Sequence, residues 1–219
     1  MSRAAIYAAA VADLWAGQQD GAHDLGHLHR VWANAQTIAA GEGGADLEVL
    51  EAAAYFHDAV NLPKNSPDRA RASTLSADLA RQVLAGLGFP VAKLEAVSHA
   101  IAAHSFSANI PAETLEARIL QDADRLEALG AIGLARLYHI GGQMGGGLFH
   151  PDDPLALNRP LDDKAHALDH LEVKLFPLVA RMQTATGRAM AETRAERLRR
   201  HRADLLEEAG FTADGRRKG

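Results

Sequence analysis

The chain has 219 residues, 47% of them hydrophobic and 23% charged, with a formal charge of −5 and no cysteine. This is the composition of a globular protein, and the negative balance argues against one that coats nucleic acid. Without thiols, disulfides and zinc–thiolate sites are excluded, so any metal must be held by histidine, aspartate or glutamate.

Almost every segment reads as helix. Arg3 precedes an alanine-rich run that resembles a leader, but Asp13 interrupts it, and Ile6, Ala10 and Leu14 form a helical stripe. A first amphipathic helix, capped by Ser2 and reaching about Gln18, is therefore expected, in a cytoplasmic protein. After a turn over Gly17–Gly21, Asp24 caps a second helix whose apolar face is Leu28, Val31, Trp32, Ala35, Ile38 and Ala39. A third runs from Asp46 to about Val60 and ends in the adjacent pair His57 and Asp58. Ser66, Pro67 and Asp68 mark the start of a fourth, which runs to Gly86 or Gly88, and Pro90 opens a fifth that reaches about Ala103. A sixth spans about Ala112–Leu129 and a short one Leu134–Ile140. The glycines of 141–147 and the stretch to Pro160 make a long irregular loop. Leu161–Thr186 and Met190–Ala209 complete the helices, and 212–219 are expected to fray. No segment has a strand period, and no run of about 18 apolar residues suggests a membrane span.

Polar residues on apolar helix faces are where chemistry is expected. His27 lies along the buried edge of the second helix, His57 and Asp58 at the end of the third, and Asp124 one turn after Leu120. Each alone is satisfied by an ordinary hydrogen bond or ion pair. Together, two imidazoles and two carboxylates converging from helices of a bundle make a divalent-cation site with room for water. That donor set suits Mn²⁺, Co²⁺, Ni²⁺, Fe²⁺ or Zn²⁺ better than an all-oxygen Mg²⁺ or Ca²⁺ cage.

The order His … His-Asp … Asp in an all-helical chain resembles the HD-domain metal-dependent phosphohydrolases. His23-Asp24-Leu25-Gly26-His27-Leu28-His29-Arg30-Val31 is similar to the pattern His-Asp-x-x-His-x-x-Arg-Val of one branch. Ala53 to Asp58, the His104-Ser105-Phe106 loop and the block Gln121 to Gly133 resemble further segments of it, and the likeness covers about residues 10–200.

The resemblance implies an all-α HD-type helical bundle with a metal site in its core, and the length and sequence read as a single such domain over residues 1–210 with a frayed basic tail over 211–219. It implies His27, His57, Asp58 and Asp124 as metal ligands, with Mn²⁺ the first expectation and Co²⁺, Ni²⁺, Fe²⁺, Zn²⁺ or Mg²⁺ the others. The activity implied is hydrolysis of a nucleoside or deoxynucleoside triphosphate to monophosphate and pyrophosphate through a metal-activated water. Alternatives are a nucleotide 5′-phosphatase, a cyclic-nucleotide phosphodiesterase, or a non-catalytic regulatory module that binds metal or nucleotide.

Some family members carry a Glu-Asp pair three and four residues after the His-Asp pair, where this chain has Asn61 and Leu62, neither of which can act as a base. His104 is expected to contact phosphate or a second metal, or to act as general acid, and Lys64 and Arg30 to meet phosphate. Asp122 is expected to orient His104 or a ligand histidine, and Arg125 to brace an acidic ligand. His23 reads as a supporting or surface residue. The expected partner is a small nucleotide, with no nucleic acid and no membrane, and the arginine-rich last helix offers a face for a homodimer.

Overall fold

Side-chain caps begin the first helices where the sequence places them, in a computed structural model that describes residues 2–15, 24–62, 66 and 68–218. Ser2 Oγ accepts from the Ala5 amide at the start of α1 (Arg3–Leu14), and Asp24 accepts from the His27 amide at 2.7 Å at the start of α2 (Leu25–Glu42). Asp46 accepts from the Glu48 and Val49 amides to open α3 (Leu47–Phe56). Each oxygen satisfies an amide that helix geometry leaves without a partner. The expected turn at Gly17–Gly21, and His23, Lys64 and Pro67, lie outside the described residues.

The remaining helices are α4 (Ala72–Gly86), α5 (Leu94–His104), α6 (Leu115–Arg125), α7 (Gly130–Gln143), α8 (Ala167–His170), α9 (Phe176–Ala180) and α10 (Ala185–Glu208). The described residues are thus all-α, with β pairing among them confined to isolated bridges at Gly147–His166 and Phe211–Arg217. None of these helices is long and apolar enough to cross a membrane.

Within the span read as one domain, the chain forms two compact units. One comprises Met1–Asp124 with Gln183–Gly187, the other Arg125–Met182 with Arg188–Gly219. In the first unit α3 packs on α1, α2 and α5, and α4 on α5. Leu28, Val31, Ala35 and Ile38 of α2 meet a core that includes Leu50 and Phe56 of α3, Leu84 of α4, Ile101 of α5 and Ile119 and Leu120 of α6, all buried. Each large side chain buried this way contributes about 1.5–3 kcal/mol. In the second unit α7 packs on the 3₁₀ turn Leu126–Ala128, and α8 and α9 on the π-helical turn Leu171–Leu175.

Several expected boundaries are wrong, each for a physical reason. The third helix stops at Phe56 rather than near Val60: the Ala59 amide closes a tight turn onto the Phe56 carbonyl, and the Trp15 indole N–H donates to the Asp58 carbonyl at 3.3 Å. The fourth and fifth helices begin with the 3₁₀ turns Arg69–Arg71 and Val91–Lys93. The sixth starts three residues late, at Leu115, and tightens into a 3₁₀ turn after Arg125.

The glycines at 130, 133, 141 and 142 do not break α7. A Cβ on Gly133 would lie 2.2 Å from the Ala128 carbonyl oxygen, so glycine there is what lets the helix leave so close to the preceding turn.

The long helix expected over Leu161–Thr186 does not form before Ala167. Asp162 Oδ1 accepts from the Lys164 and Ala165 amides, a local closure that competes with helix. Pro177 lacks the amide a continuous ladder requires, and the π turn Leu171–Leu175 directly precedes α9, which carries it near its start. Residues 211–218 do not fray: Phe211 is buried, and Thr212 and Arg216 close a short loop with a 2.8 Å backbone bond.

Candidate metal centre

Helix ends and helix faces of the first unit bring the predicted polar residues together. His27 lies in the first turn of α2, beneath the Asp24 cap, and is fully buried. His57 and Asp58 lie in the turn that ends α3, and Asp124 near the end of α6. His27 Nε2 is 3.3 Å from His57 Nε2, 3.7 Å from Asp58 Oδ2 and 3.5 Å from Asp124 Oδ1. His57 Nε2 is 3.4 Å from Asp58 Oδ2 and 3.9 Å from Asp124 Oδ1. His104, at the end of α5, places Nε2 3.6 Å from Asp58 Oδ1, and its ring meets that of His57 edge-on at 4.9 Å. His27, His57 and Asp124 form one group of donors within 4.8 Å of one another, and His57, Asp58 and His104 form a second.

The hydrogen bonds on the far side of these rings define the tautomers. His57 Nδ1 lies 2.9 Å from the Ala54 carbonyl and His104 Nδ1 2.7 Å from the Ile101 carbonyl. A carbonyl only accepts, so both Nδ1 atoms carry the hydrogen, and the Nε2 lone pairs are turned toward the carboxylates. Imidazole lone pairs and carboxylates crowded in a buried space repel unless a positive charge sits among them.

A proton can supply that charge. Burial pulls the His57 pKa down, but the Asp58 and Asp124 carboxylates and the Ala54 carbonyl outweigh it and raise the value to about 9. Burial likewise pushes Asp58 up, and the His57 and His104 imidazoles outweigh it and hold its carboxyl well below the usual carboxylate range. A divalent cation satisfies the same donors with a larger charge and the mixed nitrogen–oxygen set it prefers, so these residues fit a metal ion.

Buried amide side chains hold the helices in this arrangement. Asn34 Nδ2 of α2 donates to the Ala123 carbonyl, beside Asp124, at 3.2 Å. Gln121 Nε2 of α6 donates to the Ala103 carbonyl, beside His104, at 3.0 Å. Sequence reasoning missed both as site-building residues, although each is an amide on an otherwise apolar helix face. It also missed Arg69, whose Nη1 donates to Asn61 Oδ1 at 3.0 Å and to the Leu62 carbonyl at 2.6 Å. Asn61 and Leu62 are thus clamped by the Arg69 cation.

Other expected site residues are placed differently. His104 Nδ1 is oriented by Ile101, not by Asp122. Asp122 is fully buried and accepts from the Gln183 and Thr184 amides at 2.8–3.1 Å and from Thr184 Oγ1 at 2.7 Å, so it anchors the segment 183–187. Gly187 packs against this anchor: a Cβ there would lie 2.5 Å from Asp122 Oδ2 and 2.6 Å from Thr184 Oγ1. Gly187→Ala is therefore expected to lower stability by about 1–3 kcal/mol, measured by urea unfolding, and an unchanged midpoint would show that the anchor yields without cost. The Arg30 guanidinium stands beside Asp24, each 3.1 Å from where a Cβ on Gly26 would sit. Arg125 does not brace an acid through Nη1, which donates to the Arg181 carbonyl at 2.5 Å.

The HD-domain family model matches residues 24–129, the span that contains all of these donors. The Bacillus subtilis protein YpgQ is 34% identical over 176 residues, covering 78% of this chain and 77% of YpgQ. The crystal structure of YpgQ in complex with ADP superposes with a TM-score of 0.72 at 30% identity, covering 94% of each chain. An HD-superfamily hydrolase from Bacillus thuringiensis superposes with a TM-score of 0.73 at 28% identity, covering 94% of this chain and 96% of that one.

Proposed function

The chain belongs to the HD-domain family of metal-dependent hydrolases, and on that premise we propose that it hydrolyses nucleoside or deoxynucleoside triphosphates to monophosphate and pyrophosphate. The observation that carries this reading is the convergence of His27 Nε2, His57 Nε2, an Asp58 oxygen and an Asp124 oxygen within 3.3–3.9 Å contacts. The ADP complex of YpgQ supports a nucleotide as the ligand class.

His27, His57, Asp58 and Asp124 would hold the cation, for which Mn²⁺ is the first choice. A divalent ion bound there supplies an acidified water as nucleophile and positive charge for the phosphoryl oxygens. The protein's own groups do the rest. His57 is kept in one tautomer by the Ala54 carbonyl, so its Nε2 remains a ligand. His104 Nε2 is the atom that exchanges a proton with the leaving group or the attacking water, because Nδ1 is committed to Ile101. Asn61 and Leu62 contribute no base, which leaves proton transfer to His104. Lys64 and Arg30 are proposed to neutralise the polyphosphate. Asp122 acts only indirectly, by anchoring the segment after Gln183.

Product analysis by phosphorus NMR with Mn²⁺ and a panel of nucleotides tests the reading. Pyrophosphate appearing in step with nucleoside monophosphate is the expected result. Orthophosphate as the first product would identify a phosphatase instead, and no product from any nucleotide with metal demonstrably bound would identify a binding module.

A further inference from the structure

We propose that Ser73 and Ser76, two buried serines of α4, are positioning residues that fasten the chain around His104 and Asp58 so that these two side chains meet. The inference rests on the roles given to His104 and Asp58 above.

α4 supplies none of the donors of the metal centre, yet it packs on α3 and α5, the helices that lead to Asp58 and His104. Ser73 and Ser76 are 2% and 0% exposed and lie three residues apart, on one face of the helix. A buried hydroxyl costs stability unless it is hydrogen-bonded, and alanine would serve the helix better at either position. What the serines contribute is therefore the bonds that they make.

Ser73 Oγ donates to the Ala102 carbonyl at 3.0 Å. Ser76 Oγ accepts from the Val60 amide at 3.0 Å and donates to the Val60 carbonyl at 3.4 Å. Thr74, between them, instead turns its hydroxyl back to the Arg71 carbonyl at the start of its own helix.

Each serine bond falls on a stretch of chain that carries a site residue. An α-helix leaves its last four carbonyls without a partner in the helix, and α5 ends at His104. Side chains take up the carbonyls there: His104 Nδ1 that of Ile101 at 2.7 Å, Ser73 that of Ala102, and Gln121 Nε2 that of Ala103 at 3.0 Å. The turn after α3 is held at three successive residues, Asp58 by the Trp15 indole, Ala59 by the Phe56 carbonyl and Val60 by Ser76. The two stretches bring His104 Nε2 to 3.6 Å from Asp58 Oδ1. One turn of α4 thus ties both together, and a reacting group displaced by about 1 Å loses about 100-fold in rate.

Steady-state kinetics on GTP and ATP with saturating Mn²⁺ tests the proposal in Ser73→Ala, Ser76→Ala and, as a control on the same helix, Thr74→Ala, with Mn²⁺ affinity measured by calorimetry. Ser73→Ala is expected to lower kcat by about 10- to 100-fold with KM and Mn²⁺ affinity within about twofold, because His104 is not among the proposed ligands. Ser76→Ala frees the turn of a proposed ligand and should lower kcat and weaken Mn²⁺ binding, each by about 10- to 100-fold. Thr74→Ala should leave kcat, KM and affinity unchanged. Ser73→Cys keeps a weaker donor in nearly the same volume and should fall between wild type and Ser73→Ala. Should the alanine variant not fold, unchanged kcat in Ser73→Cys overturns the proposal. So does a lowered melting temperature with wild-type kcat in the folded alanine variants, which would make the serines merely structural. If wild type turns over neither nucleotide, the triphosphate reading fails, and crystal structures of wild type and Ser73→Ala still decide. The 3.6 Å separation of His104 from Asp58 should widen by about 1 Å, and an unchanged separation would overturn the positioning role.

Discussion

Asp58→Ala is expected to lower metal-dependent turnover by more than about 100-fold while leaving the helical content intact. Loss of a residue that merely orients a metal ligand costs about 10- to 100-fold, and Asp58 faces the ring nitrogens directly, at 3.4 Å from His57, 3.6 Å from His104 and 3.7 Å from His27. The fold should survive, because the turn that carries Asp58 is held through the backbone, by the Ala59 amide on Phe56 and by the Trp15 indole on the Asp58 carbonyl. A second readout separates this role from general damage. In metal-free protein the downward pull of burial on His57 is outweighed by Asp58 first and then by Asp124 and the Ala54 carbonyl, which together raise the pKa to about 9. Without that carboxylate the His57 pKa should fall, as followed by NMR titration of its ring protons. Asp58→Asn, which preserves the shape and removes the charge, should give both effects. Wild-type turnover in either variant would remove Asp58 from the site.

Asp169→Ala is expected to destabilise the second unit by about 3–5 kcal/mol, the usual cost of removing one partner of a buried ion pair. Asp169 is 1% exposed, and Arg159 grips it through both terminal nitrogens, at 2.5 and 2.8 Å. The Asp162 amide donates to the same carboxylate at 2.7 Å. Without Asp169 the Arg159 guanidinium loses its counter-charge and the entry to α8 loses its fastening. Hydrogen exchange should then show 147–171 opening first, together with a lowered unfolding midpoint.

The pH dependence of this pair has a defined sign. Burial pushes Asp169 up, but the Arg159 guanidinium and the Asp162 amide outweigh it and hold the folded-state pKa below its ordinary value. Such a group adds stability above the unfolded-state pKa, near 3.9, and loses it as the pH falls through the folded-state value. Acid unfolding below about pH 4 should therefore be shallower in Asp169→Ala than in wild type. A variant with wild-type stability at pH 7 would show that Arg159 finds another partner at no cost.

Features set by bonds within a few residues were legible in the chain. Ser2, Asp24 and Asp46 cap helices through amides two or three positions on, and the apolar stripe from Leu28 to Ile38 faces the core because a helix repeats on that spacing. The all-α class followed from such patterns. The residues proposed for the metal were recognisable because polar groups on apolar faces need a partner, and because their order resembles a family pattern.

Features that depend on partners far along the chain were not legible. The third helix ends at Phe56 because backbone groups around Asp58 bond elsewhere, one of them to Trp15. Asp122 reads as a neighbour of the site, yet its oxygens meet amides some sixty positions later, at Gln183 and Thr184. Asp162 and Asp169 sit in what reads as an unbroken helix, and it is Arg159 and the local turn that delay its start. Periodicity reports which face of a helix is apolar, but a carboxylate or guanidinium takes whichever donor or acceptor the packed chain brings within about 3 Å, and that is known only once distant segments have met.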